Sequence, residues 1–94
     1  MLQFEWDETK NSSNRKKHGV WFEEAQSVFD DTNGRLFIDP EQKGDEERFI
    51  LIGFSAHAKL LVVIHCYRQS GSVVRIISVR KATKREERLY EKGI

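Results

Sequence analysis

Arg80 and Lys81 end a β-branched run, Arg75 lies five residues before Arg80, and Arg48, His65 and Arg68 occupy the β-rich stretches just upstream. Guanidinium groups offer forked donors that match phosphate oxygens, and imidazole is the side chain suited to proton transfer near neutrality. Cleaving RNA requires a 2′-hydroxyl to lose its proton, charge developing on phosphorus to be stabilised, and a leaving oxygen to be protonated. Fixed cations aimed at that charge supply the electrostatic part. Arg80, Arg48 and His65 are the candidates for this chemistry. Each also has a structural reading: His65, inside "VVIHCY", as a core histidine bonded to a carbonyl; Arg48 as an edge charge paired with Glu46 or Glu47; Arg80 and Lys81 as a solvated strand exit.

A second set of residues is suited to holding RNA. Arg75, Lys81, Lys17 and Arg68 are candidate phosphate contacts, and Trp6 is a candidate stacking platform for an unpaired base, worth about 1–3 kcal/mol in single-strand binders. Trp6 would equally close an edge of the core. His18 reads as structural, because a cation at a helix C-terminus agrees with the dipole, and His57 reads as a turn residue. Glu86 reads first as a helix cap, and Leu89 and Tyr90 face either the core or a partner helix. Cys66 reads as a buried thiol. A lone cysteine excludes an intrachain disulfide and is the pattern of a reducing cytoplasm, and no cysteine or histidine spacing points to zinc. No metal and no cofactor is expected.

The elements that must position these residues follow from the pattern. "LQFEW" alternates as a short strand. Asp7 is an N-cap for a polar helix that stops at His18-Gly19. "VWFEEAQSVF" sets Phe22, Ala25, Gln26 and Phe29 at helical spacing. After the turn dipeptide Asn33-Gly34 comes "RLFI", then the acidic loop "DPEQKGDEE", then the strands "ERFILIGFS", "KLLVVIHCYR" and "SVVRIISVR". Their short links demand antiparallel neighbours. Thr83 and Glu86 form a capping box for a last helix, with Gly93 as its stop. The prediction is one α+β domain over residues 1–94: a short N-terminal strand and two helices, then a four-stranded, largely antiparallel sheet and a C-terminal helix.

Tight turns at "SAHA" and "QSGS" would set Phe54 opposite Lys59, Arg48 opposite His65, His65 opposite Ile76 and Leu61 opposite Arg80. Arg48, His65, Tyr67, Ser78 and Arg80 would then share one face, with Leu60, Val62, Ile64, Ile77 and Val79 on the helix-covered face. A slip of one residue reverses a strand.

Composition sets the outer bounds. Ninety-four residues with net charge +1 are near the lower size for a core without staples. Residues 20–50 carry nine acids against three bases, and the rest of the chain carries thirteen bases against six acids. Such segregation concerns partners and steering: the acidic segment either turns RNA away from the rear of the domain or receives a basic partner. "MLQFEWDETK" has no basic segment followed by an apolar stretch, so no secretory signal is expected, and no apolar run approaches the roughly 20 residues of a membrane span. A cytoplasmic location is expected.

Three blocks, "FEWDETKNSSNRKKHGVWFEEAQSVF", "GDEERFILIG" and "VRIISVRKATKREERLYEKG", resemble BrnT-type toxins in their order and spacing over nearly the whole chain. That family is similar to the RelE-like ribonucleases of bacterial toxin–antitoxin pairs. The resemblance implies a RelE-like fold and a metal-independent endoribonuclease that inhibits translation and growth. It also implies neutralisation by a small antitoxin that itself binds operator DNA, with higher-order toxin–antitoxin assembly. Trp6-Asp7, Lys17-His18-Gly19, Arg48, Arg75, Ser78, Arg80, Lys81, Ala82, Glu86 and Tyr90 match the family pattern. Trp21 departs from it, standing where a small helix-capping residue is common, so a cap worth about 1 kcal/mol is lost or an exposed aromatic finds a partner. On this reading the corner at residues 78–90 holds an RNA phosphate, with Arg48 and His65 approaching from neighbouring strands and the last helix offering its N-terminus. Two alternatives stay open: a non-catalytic RNA-binding module, and an inactive toxin-like protein acting with its antitoxin in repression.

Overall fold

The computed structural model describes residues 2–41, 44 and 46–92. Its element order is β1 (Gln3–Glu5), α1 (Glu8–His18), α2 (Phe22–Val28), β2 (Arg35–Ile38), β3 (Phe49–Phe54), β4 (Leu60–Arg68), β5 (Val73–Lys81) and α3 (Lys84–Lys92). That order and the α+β class are those expected. The sheet corrects the expectation in one respect: it has five strands, ordered β1-β5-β4-β3-β2, because β1 joins it. β1 runs parallel to β5, with Glu5 beside Arg75, and the remaining pairs are antiparallel. Two helices and three strands separate β1 from β5, which gives the chain ample length to return in the same direction.

The helix ends form as their residues dictate. The Asp7 side chain accepts hydrogen bonds from the backbone N–H of Thr9 and Lys10, and Gly19 closes α1 in the left-handed conformation at φ 77°. The Thr83–Glu86 box is reciprocal: Thr83 N–H donates to Glu86 at 2.8 Å and Glu86 N–H to Thr83 Oγ1 at 3.2 Å. The Gly93 stop lies outside the described residues. Trp21 makes no side-chain cap for α2. The orphaned Phe22 N–H instead donates to Asn11 Oδ1 on α1 at 2.7 Å, and Trp21, 47% exposed, carries Arg15 over its ring at 5.7 Å.

Phe22, Ala25 and Val28 of α2, with Val20 before it, pack on Leu51, Leu61, Val63, Val74, Ile76 and Val79. Val28 thus takes the core position expected of Gln26, which is exposed. α1 has no apolar stripe and docks through polar groups. Asn14 Nδ2 donates to Val79 O at 2.8 Å and Asn14 Oδ1 accepts from Val79 N–H at 3.1 Å. This side chain pairs with β5 as a further strand residue would, where β1 has ended.

The registers overturn the expected facial grouping. Loop Ser55–Lys59 is one residue longer than the "SAHA" turn: Ser55 N–H donates to Lys59 O and Ala58 adopts φ 59°, as in a three-residue hairpin ending in a left-handed residue. Phe54 therefore opposes Leu60, and Phe49, not Arg48, opposes His65. Between β4 and β5 the expected pair His65–Ile76 forms, with Arg68 opposite Val73. A bulge at Ile77 then shifts the rest, so Val62 opposes Arg80 and Leu61 opposes Lys81. A bulge reverses the facing of everything beyond it. The inner face, under α1 and α2, carries Phe49, Leu51, Leu61, Val63, His65, Tyr67, Ile76 and Val79. The outer face carries Ile50, Ile52, Val62, Ile64, Cys66, Ser78 and Arg80.

Candidate nucleic-acid interface

The outer face collects the arginines of the sheet. Arg35 opposes Ile52, which opposes Val62, which opposes Arg80. Toward the other end Cys66 opposes Arg75, which lies beside Glu5. Arg48 continues the alternation of β3 onto this face, and Arg68 lies two residues beyond Cys66. The two arginine rows are four residues apart along β4, about 13 Å at strand rise, with Ile50, Ile64 and Ser78 between them. Arg48 and Arg80 thus share a face but not a corner.

Arg80 is the most firmly held. Its two terminal nitrogens donate to the two Glu86 oxygens at 2.7 and 2.8 Å, and it also donates to Lys81 O at 3.2 Å. The Arg80 hydrogen bond holds the Glu86 carboxyl down at about 2, against burial and with help from the Thr83 N–H. The same bond raises the Arg80 pKa. α3 lies across this end of the face. Tyr90 packs edge-on against Phe54 at 5.2 Å and donates its hydroxyl to Asp31 at 2.7 Å.

The other row is a chain of ion pairs. Arg75 meets Glu5 at 3.0 Å, Arg68 lies 3.5 Å from the same Glu5 oxygen and 3.3 Å from Glu46, and Arg48 lies 3.7 Å from Asp39. Arg48 pairs with Asp39 across the strand, in place of the expected Glu46 or Glu47. The Arg75 and Arg68 pairs are exposed and contribute about 0–1 kcal/mol, so a phosphate can replace their carboxylates at small cost, whereas the Asp39 carboxylate beside Arg48 is nearly buried. Cys66, beneath them, is fully buried, and burial first, then Glu46, pushes its thiol pKa up.

His65 does not join this group. It is fully buried on the inner face, edge-on to Phe29 at 4.8 Å and to Tyr67 at 5.2 Å. Its Nδ1–H donates to Val63 O at 3.2 Å, and Nε2 accepts from the Tyr67 hydroxyl at 3.3 Å. Burial lowers its pKa, against the Val63 carbonyl, so the neutral ring is favoured. The core-histidine reading holds, and the slipped registers explain why. Trp6 likewise belongs to the core edge: half-buried, it stands edge-on to Phe22 at 6.0 Å and donates Nε1–H to Glu8 at 3.0 Å. Lys81 is exposed at the strand end.

Lys17 does lie beside the arginine face. By gripping Val79, Asn14 brings α1 against the outer edge of β5, where Lys10, Ser13, Lys17 and His18 line a cleft of about 200 Å³ with Ile77 and Ser78. Ser78 shares its face with Arg80. His18, half-exposed, is therefore the histidine that adjoins cations, whereas His57 lines a cleft with Glu23 and Glu24. The sequence signal for this placement was the pair Asn11 and Asn14, three residues apart and both buried in a helix with no apolar stripe. Among the described residues no group of three or more His, Cys, Asp or Glu side chains is placed to hold a metal ion, and no helix is long and apolar enough to cross a membrane.

Comparison with curated proteins returns no match. Among solved structures, the 1.1 Å crystal structure of the Brucella abortus ribonuclease toxin BrnT matches with a TM-score of 0.67 at 24% identity, over 89% of this chain and all of that one. At this identity the likeness speaks for the fold, and it narrows the expected RelE-like description to a BrnT-like one. The family model described as the ribonuclease toxin BrnT of type II toxin–antitoxin systems matches residues 6–86. By that match over most of its length, the chain belongs to the BrnT family of ribonuclease toxins, whose type II systems pair the toxin with a protein antitoxin.

Proposed function

We propose that this chain is an endoribonuclease that cleaves RNA by attack of the 2′-hydroxyl on the adjacent phosphate, without a metal ion. The observation that carries the reading is the single-faced clustering of Arg48, Arg68, Arg75 and Arg80, continued around the β5 edge by Lys10, Lys17 and His18. In this reading Arg80 leaves Glu86 to hold the scissile phosphate beside Ser78. Arg75, Arg68 and Arg48 hold the strand further along the face, with Lys17 at its margin; Lys81, which opposes Leu61 of the inner face, takes no part. The 2′-oxygen bonds to phosphorus while the bond to the 5′-oxygen breaks. The guanidinium of Arg80 stabilises the charge that builds on the phosphate. His18 takes the 2′-hydroxyl proton or supplies one to the leaving oxygen. The burial of His65 supports giving it no part in the reaction.

The test is the chemistry of the ends. Purified chain incubated with RNA in the presence of a chelator is expected to release fragments with 2′,3′-cyclic phosphate and 5′-hydroxyl termini, and His18→Ala is expected to slow release about 10²–10⁴-fold. Fragments with 5′-phosphates, or cleavage that stops in chelator, would overturn the mechanism. One observation favours a second reading: Arg48, Arg68, Arg75 and Arg80 each already meet a carboxylate, as a non-catalytic RNA-binding surface also would. RNA bound but never cut would establish that reading.

We further propose that the antitoxin neutralises the chain by docking its basic segment on the acidic α2 side. There Trp21, Glu23, Glu24, Ser27, Ala56 and His57 line a cleft of about 520 Å³. The antitoxin's other part binds operator DNA and builds the larger assembly. Neutralising Glu23, Glu24, Asp30 and Asp31 without weakening the complex would remove this docking site.

A further inference from the structure

β2 ends the strand order, and its open edge has an unusual composition. Asp39 N–H donates to Arg48 O at 2.9 Å, so Asp39, and by the two-residue period Phe37 and Arg35, turn their backbone groups toward β3. Leu36 and Ile38 turn theirs outward. Sheet edges are ordinarily blunted by lysine, proline or a covering element. Here the outward residues are 53% and 60% exposed aliphatics, with Phe37 between them at 38%. Pro40, the next outward position, has no N–H and ends the edge.

The geometry points to antiparallel pairing of β2 with β2 of a second copy of this chain, about a two-fold axis at Phe37. Outward residues can hydrogen-bond only to outward residues, which leaves three registers. Centring the axis on Leu36 sets Ile38 against Gly34, which has no side chain to meet it. Centring it on Ile38 sets Leu36 against Pro40, which cannot donate. Centring it on Phe37 sets Leu36 against the partner's Ile38, so each of the two equivalent pairs exchanges both of its hydrogen bonds. That same register sets Arg35 opposite the partner's Asp39, whose nearly buried carboxylate is already held by Arg48, so it opposes no like charges and the self-complementarity of "RLFID" is chiefly one of shape. Phe37 meets its own counterpart on the outer face, beside the apolar surface that Leu89 adds to the Arg35–Phe37 pocket. A contact in which each residue meets the same partner residue in both directions closes at two copies. It leaves the opposite sheet edge, with Lys17, His18 and Ser78, open. The strand is short, so the contact falls below the ~1,200–2,000 Å² of a standard interface and depends on concentration.

Sedimentation equilibrium of the wild-type chain over rising concentration tests this. The mass is expected to climb from 11.0 kDa toward twice that value, and Ile38→Lys is expected to hold it at the lower one. Cysteine cross-linking reads the register. At the axis, Phe37→Cys brings two Cα atoms to about 4.5 Å, within the ~4.4–6.8 Å of a disulfide, and should form a covalent dimer on oxidation. Leu36→Cys chains should cross-link only when mixed with Ile38→Cys chains. A mass that stays at the monomer value, a rise that Ile38→Lys leaves intact, or Leu36→Cys chains that join to themselves would each overturn the proposal.

Discussion

The two faces of the sheet are made by the same strands, residue by alternate residue, yet they follow opposite rules. On the inner face Leu61, Val63, Ile76 and Val79 are wholly or almost wholly buried, and the single imidazole there is held neutral with both ring nitrogens bonded. On the outer face Ile52 and Val62 are buried as deeply, in an apolar middle with Ile50 and Ile64, but arginines paired to carboxylates occupy both ends. The difference follows from cover. A charge under α1 and α2 would lose its water with nothing to replace it. The outer face, covered only at one end by a helix with no buried residue, keeps charged heads in solvent. Truncating the inner-face core should therefore cost stability, removing the outer-face charges should cost chemistry, and substitutions of each kind should separate the two.

The largest separation is expected from the inner side. Leu61 is fully buried in the cluster that joins α2 to the sheet. Leu61→Ala removes its contacts and leaves a cavity, a change that costs about 2–5 kcal/mol. Thermal or denaturant unfolding should show that loss, while RNA cleavage per folded molecule stays within about twofold of wild type. A cleavage defect larger than the unfolded fraction accounts for would mean that the inner face takes part in the reaction.

Arg80→Ala is the counterpart on the outer face. Loss of a preorganised donor to developing charge costs about 10²–10³ in rate, near 2.7–4 kcal/mol. Loss of the partly exposed pair with Glu86 should lower stability by only about 1 kcal/mol. Single-turnover cleavage and RNA affinity measured together decide the role: cleavage should fall far more than binding. Arg68→Ala, which breaks only exposed pairs with Glu5 and Glu46, should weaken binding modestly and leave the cleavage step alone. Equal losses for the two variants would remove the special position given to Arg80.

These faces were only half legible in the sequence. Element order, the Asp7 and Gly19 helix ends and the Thr83–Glu86 box came through because each rests on local chemistry. Facing did not, since it depends on one left-handed Ala58 and one bulge at Ile77, neither of which leaves a glycine or proline signal. The alternation alone therefore places His65 on the arginine face, whereas the register turns it inward. The docking of α1 was hidden for another reason. Asn11 and Asn14 bury polar groups against backbone atoms distant in sequence, and hydrophobic periodicity does not register such contacts. Once Asn14 is seen to grip Val79, Lys17 and His18 fall beside Ser78 and the arginine face.

The smallest effect distinguishes the faces by pH. His65 is held below its ordinary 6.5, so the unfolded chain binds the proton more readily than the folded one. Its contribution to stability is complete above pH 6.5 and is lost as pH falls through the window beneath it. Glu86 is held at about 2 against an ordinary 4.5; its contribution is complete above pH 4.5 and is lost between there and pH 2. Acid unfolding should thus weaken the protein in two stages, the inner face first. His65→Gln, which keeps a hydrogen-bonding side chain without a titrating ring, should flatten the stage just below pH 6.5 and leave the lower one unchanged. Glu86→Gln, which preserves the capping-box pattern, should shrink the lower stage, to which the lowered Asp31 carboxyl also contributes, and leave the upper one unchanged. A single stage removed by either variant would mean that the two faces titrate as one unit, contrary to their separation across the sheet.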